Sequence, residues 1–285
     1  LNTNFAFAAP FNIWMGVIGG TVIVLSSHGA EQLIVQRVLA CRNTADGRKA
    51  LLLSAVVIFP LFMIFLLVGA MLWVFYQSHP FKIPLPESQP GIVSFDFIFP
   101  IFMITEVPHV LKGFLIVAIL SAAMSSISSA ITALASVSTM DFVRQIVKGR
   151  DEEYFLRFSR YSTVFWAAVL VGVAWVSREV QFVLNAAFSL RGLTSGALLG
   201  GLILAVFGRR VGPRAAMIGM TVSLLTMNVI YWPPKIPVVT EWWLKTFGGE
   251  VFWPWFTLIG TCVTIGVAWG VKAVWPQSGE EPVTP

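Results

Sequence analysis

Between Leu120 and Asp141 the chain reads LSAAMSSISSAITALASVSTMD, an apolar stretch that still carries Ser121, Ser125, Ser126, Ser128, Ser129, Thr132 and Ser136. Ser121, Ser125, Ser128, Thr132 and Ser136 follow one another at helical intervals, so they share a face. Ala122, Ala123, Ala130, Ala133 and Ala135 keep the neighbouring positions small. Two readings are open. Hydroxyls among small residues make a close helix–helix seam in a membrane. They can also gather around a hard monovalent cation, which prefers neutral oxygens when it must bind and leave again. The carbonyl of Ala122 keeps a lone pair beyond its helical hydrogen bond, and the hydroxyls of Ser125 and Ser126 lie three and four residues on, beside it.

A second polar group interrupts an apolar run near the start of the chain. After Leu25 comes SSHGAEQ, with Ser27, His28, Gly29, Glu31 and Gln32. A glycine amid polar residues at membrane depth predicts a broken helix whose freed backbone groups face a cavity. Equally, the helix could simply emerge here into water. Further on, Arg191 lies inside an apolar run. It is expected either to find an internal partner or to snorkel to the outer interface, with a slight balance toward snorkelling. Glu31 is expected to pair with an arginine or a hydroxyl. His28 and Glu31 are the one close acid–base pair at depth, and no nucleophile elbow or metal-ligand spacing accompanies them, so the chain does not read as an enzyme.

These residues must be positioned by membrane helices. The 285 residues are 56% hydrophobic and 12% charged, with a mean hydropathy of +0.80, far from the average of soluble domains. Seven apolar runs are predicted as helices, at about 11–36, 50–77, 109–140, 158–177, 180–207, 213–232 and 252–275. Long runs without alternation exclude a barrel. Lys and Arg concentrate in one set of loops, around Arg37–Lys49 and Arg144–Arg160, which predicts those loops and the C-terminus in the cytoplasm and Leu1 outside. The net charge of +5 is therefore a topology signal and not a nucleic-acid footprint. A long external loop, His79 to Pro108, is too apolar in its second half to be free and is expected to pack as a lid. Trp73, Tyr76, Trp175, Trp232, Trp242, Trp243, Trp253 and Trp255 read as interfacial anchors. Gly196 and Gly200 read as a packing ridge. The polar tail, 276–285, is expected to be mobile. Cys41 and Cys262 suggest no disulfide, and the opening LNTNFAFAAP lacks the basic segment of a signal peptide.

Four stretches, in this order, resemble the sodium/solute symporter family. HGAEQLIVQRVLACRNTADGRKALLLS (residues 28–54) is similar to its G-T-D-Q-x-x-x-Q-R-x-L-A segment. Asp96 to Pro100 with Pro108 to Gly113 is similar to its D-x-A-F-P and P-x-G-L-x-G elements. AAMSSISSAITALASVSTMDFVRQ (residues 122–145) resembles its A-x-M-S-S signature, and GALLGGLILAVFGRRVGPRAA its G-P-L-L-G segment. Ala30-Glu31 stands where the family has T-D, which keeps an acid but loses a hydroxyl, and Val110 stands where the external element has glycine.

The resemblance implies an all-α integral membrane protein of the LeuT-type inverted-repeat transporter fold. Residues 11–207 would form its second five-helix repeat and 213–275 two peripheral helices, about seven transmembrane helices in all, with the first repeat absent from the chain. It implies sodium-coupled symport of a small organic solute by alternating access. Na+ would be the coupling ion at Ala122, Ser125 and Ser126, and the missing N-terminal repeat would be required for function. The solute pathway is expected at Ser27, His28, Gly29 and Phe188, the last standing where sugar transporters of the family carry glutamine. Glu31, Gln32 and Arg191 are expected to be gate-forming or structural. The partners implied are a small organic solute and the lipid bilayer. The competing reading is a non-transporting sensory or regulatory membrane domain of the same fold.

Overall fold

The computed structural model describes residues 3, 12–89, 92–177, 183–208, 211–233, 237–247 and 249–275. The tail 276–285 and the first residues of the first and fifth predicted runs lie outside them. Among the described residues six helices are long and apolar enough to cross a membrane, and two apolar helices, Met15–Ala30 and Phe95–Thr105, are shorter. The chain divides into two compact units, one made of 1–60 and 184–285, the other of 61–183.

In the first unit a π-turn over Met15–Gly19 runs into α1, Gly20–Ala30. Asn12 opens it by accepting the amide of Met15 on Oδ1 at 2.8 Å. The helix ends where Glu31 turns extended, at φ −76° and ψ 119°. The carbonyl of Glu31 then accepts the amides of Ile34 and Val35 at 3.1 and 2.9 Å, which starts α2, Gln32–Leu39. The predicted break is therefore present, but one residue pair later than the glycine suggests. Gly29 stays helical, and a Cβ there would sit 3.2 Å from Leu202 Cδ2. Asn43 caps α3, Thr44–Ser78, accepting from the amide of Asp46 at 2.8 Å. Pro60 lies inside that helix.

The core of this unit is α8, Val183–Phe207, against α9, Pro213–Tyr231, and α11, Phe256–Val274. Small residues let the backbones meet. A Cβ on Gly196 would lie 2.7 Å from the Cα of Gly260, and one on Gly219 would lie 2.5 Å from the carbonyl oxygen of Thr264. Hydroxyls stitch the seam. Ser195 and Thr257 share a bond of 2.8 Å, Thr261 donates to the carbonyls of Gly196 and Thr257, and Ser223 donates to that of Gly260 at 2.8 Å. The ridge at Gly196 and Gly200 is thus a helix seam. A short helix, α10, Pro237–Phe247, connects α9 to the turn Trp253–Trp255. Trp255 is 1% exposed and Trp243 6%, so Trp255 belongs to the core and not to an interfacial belt, whereas Trp232 and Trp242 are exposed as anchors are.

In the second unit the end of α3 is followed by a small hairpin, β1 Glu87–Gln89 and β2 Ile92–Val93. A turn over Phe95–Phe97 leads into α4, Ile98–Thr105, which buries Ile101 and Met103. The apolar half of the loop 79–108 is therefore packed in part, while Phe95, Phe97, Phe99 and Ile104 stay exposed. Phe102 meets Phe75 edge-on at 5.3 Å, Tyr76 stacks on Phe81 at 4.0 Å, and Lys82 pairs with Glu106 at 2.8 Å. Asp96 accepts the amide of Val183 at 3.2 Å. α5, His109–Val137, continues through a π-turn, Ser138–Val143, into α6, Arg144–Ile146. Gly149 turns the chain at φ +81°, and Asp151 caps α7, Glu152–Val176, on the amide of Tyr154. α5 and α7 are joined where Trp166 donates to Ser138 Oγ at 2.9 Å, and Arg144 pairs with Glu152 at 2.6 Å.

The hydrogen bond from Lys82 holds the Glu106 carboxyl below its ordinary range, with the lysine charge and His79 acting in the same sense. A depressed carboxylate stabilises the fold above its unfolded value and loses that contribution as the pH falls through its folded value. Protection of the amides of Thr105–Val107, taken relative to their intrinsic exchange at each pH, is expected to fall as the pH drops below the ordinary glutamate range. Glu106→Gln is expected to remove that acid response, and an unchanged pH profile in the variant would refute the role.

Candidate functional site

The predicted cation residues sit in mid-α5. Ala122, Ser125 and Ser126 are all exposed, as is every residue from Ser121 to Ser128. The hydroxyls of this helix divide into two groups. Ser129 donates to the carbonyl of Ser125 at 2.9 Å and Thr132 to that of Ser128 at 2.8 Å. Ser138 and Thr139 donate to Leu134 and Ala135 in the same way. Ser125 and Ser126 are not among those that turn back onto their own helix. They stand three and four residues after Ala122, about one turn of the helix along. Among the described residues no group of three His, Cys, Asp or Glu gathers as a metal site, so oxygen from hydroxyl and backbone is the donor chemistry α5 offers.

The predicted solute residues lie in the other unit. Ser27 Oγ and His28 Nδ1 are 3.2 Å apart, and His28 Nδ1 is 3.1 Å from the carbonyl of Val24. Protonated at Nδ1, the ring donates to that carbonyl and leaves Nε2 as an acceptor. Ser26, not singled out in the sequence, is 1% exposed and donates to the carbonyl of Ser195 at 3.1 Å, fastening α1 to α8. Glu31 accepts from Arg191 Nε at 2.5 Å, the two side chains being 32% and 29% exposed. Arg191 therefore has an internal partner and does not snorkel away. The side chain of Gln32 lies outside the described residues.

Phe188, one turn before Arg191 on α8, stacks on Trp253 with ring centroids 4.8 Å apart and planes 12° from parallel. Trp253 reads in the sequence as an interfacial anchor. Its indole N–H is instead enclosed and without a hydrogen-bond partner. No sequence signal separates that role from the Trp242–Trp255 cluster, because the stack is made by residues 65 positions apart.

The model of the sodium:solute symporter family matches residues 3–223. The sodium-dependent multivitamin transporter of Oryctolagus cuniculus is 30% identical over 216 residues, which are 74% of this chain and 33% of that protein. A sodium/sialic acid symporter of Aliivibrio fischeri is 31% identical over 216 residues, 74% of this chain and 41% of that protein. In structure, the chain resembles a Na+-coupled sialic acid symporter solved in a substrate-bound outward-open state. The TM-score is 0.70 at 21% identity, over 95% of this chain and 52% of that one. The chain thus spans about a third to two fifths of the length of these curated relatives.

Proposed function

The chain belongs to the sodium:solute symporter family, and on that premise we propose that it takes part in sodium-coupled symport of a small organic solute by alternating access. The relatives that support this reading are transporters and not enzymes. The single observation that carries it is the helix interrupted at Glu31, between apolar helices and held by Arg191. A polar break of this kind is where transporter folds place their solutes.

In this reading the five runs from 11 to 207 form one five-helix repeat of a LeuT-type fold, with α9 and α11 peripheral to it. Sodium binds at Ala122, Ser125 and Ser126. Three oxygens are too few for a full shell of about five or six, so roughly two more come from outside these 285 residues. Ser27, His28, Gly29 and Phe188 line the solute pathway, and Glu31, Gln32 and Arg191 form or support a gate. The loop Arg37–Lys49 faces the cytoplasm, so a cysteine at Asn43 is labelled from that side alone.

The test is transport by the full-length protein in liposomes. An inward sodium gradient should accumulate at least one of labelled N-acetylneuraminate, lactate, biotin, glucose and proline above its external concentration. Accumulation should collapse when monensin dissipates the gradient. Uptake that is the same under a potassium gradient would sink the reading.

A further inference from the structure

We propose that the face of α8 carrying Phe188 and Arg191 recognises the carboxylate of an acidic solute, with Arg191 as the anion contact and Trp253 as a second donor. The inference rests on the symport reading and narrows it to a class of solute. Arg191 commits Nε to Glu31. Among the described residues its two Nη groups have no other partner, and the side chain stays 29% exposed, so the end of the fork is available. Two parallel N–H groups match the two oxygens of a carboxylate, and such charge-assisted pairs are about twice as strong as neutral hydrogen bonds.

Phe188 lies three residues before Arg191, hence on the same face of the helix. Its stack with Trp253 supplies an apolar wall, and among the described residues the enclosed indole N–H of Trp253 has no acceptor. An incoming oxygen would relieve that unmet donor. The free N–H groups of Arg191 and Trp253 call for acceptors. A carboxylate supplies acceptors and no donor, whereas every hydroxyl of a polyhydroxy solute also brings a donor that must find a partner. Glu31 holds the guanidinium by Nε and balances its charge while no solute is bound. The negative charge that enters with the solute is balanced by the sodium that enters with it.

The experiment compares matched acid and neutral probes in the same sodium-driven assay of the full-length protein: lactate against lactamide, and N-acetylneuraminate against its methyl ester, with glucose alongside. The acid of each pair should be favoured on the order of tenfold or more. Trp253→Phe, which keeps the stack and removes the N–H, should weaken acid affinity by about three- to tenfold. The paired variant Glu31→Gln with Arg191→Gln leaves no lone charge behind. It should fold, retain sodium-induced thermal stabilisation and lose the preference for acids. Equal uptake of acid and neutral probes, exclusion of the acids, or a preference that survives the paired variant would overturn the inference and leave symport standing. Failure of sodium to drive any probe, glucose included, would count against both.

Discussion

Replacing Ser125 or Ser126 by alanine is expected to raise the sodium concentration for half-maximal uptake on the order of tenfold in each case, with the amount of folded protein nearly unchanged. In the proposed site each substitution removes one of three neutral oxygens, and a hydrogen bond or contact to a charged group is worth about 1.5–3 kcal/mol. The fold should tolerate the change because both residues are exposed and neither hydroxyl is bonded back to its own helix. Thr132→Val is the informative contrast. Thr132 Oγ1 is already committed to the carbonyl of Ser128, so its loss should leave the sodium dependence within about twofold. If Ser125→Ala, Ser126→Ala and Thr132→Val all behave alike, the hydroxyls of α5 form a packing seam and the cation reading is wrong.

Gly196→Val is expected to abolish stable expression, or to lower the Tm in detergent much further than either serine substitution does. The new Cβ would stand 2.7 Å from the Cα of Gly260 and 2.8 Å from the carbonyl oxygen of Thr257. Both are backbone atoms that no rotamer change can move, so α8 and α11 must separate. Overpacking of this kind costs about 1–3 kcal/mol or more. Separation also breaks the bonds Ser195–Thr257 and Thr261–Gly196, each worth roughly 0.6 kcal/mol inside a membrane. Gly266 and Gly270 lie on the same helix with open space before them, and alanine at either should shift stability by no more than about 0.5 kcal/mol. Equal melting of Gly196→Val and Gly266→Ala would show that the seam is not held as described.

The helices are largely legible in the sequence because apolar length is a local property, and runs long enough to cross a bilayer coincide with α3, α5, α7, α8, α9 and α11. The loop after α3 is legible only in part: its apolar half does fold and buries Ile101 and Met103, but Phe95, Phe97, Phe99 and Ile104 stay exposed. The position of the break in the first run is not legible. Gly29 looks like the weak point, but a helix stops where its backbone finds other partners. Those are Ile34 and Val35, with Arg191 holding the side chain of Glu31 from 160 positions away. The hydroxyls of α11 escape notice for a related reason. A threonine in an apolar run has the same local sequence whether it bonds its own carbonyl, as Thr264 does, or also reaches a neighbour, as Thr261 does. Trp253 and Trp255 read as anchors because tryptophan near a span end normally is one. The resemblance puts the cation residues on α5, but nothing in the sequence distinguishes Ser125 and Ser126 from the hydroxyls that turn back on their own helix.

The three fastenings of α1 divide the mechanical freedom of its unit unevenly. A Cβ on Gly19 would press on the carbonyl of Pro254, Ser26 is bonded to Ser195, and Gly29 lies against Leu202. α1 is thus bolted to α8 through Ser26 and Gly29, and the π-turn that leads into it is bolted to the turn ahead of α11. α2 begins beyond one extended residue and shares none of those bolts. The joint between the two helices is Glu31, whose side chain Arg191 holds, so whatever competes for that guanidinium also competes for the residue at the joint.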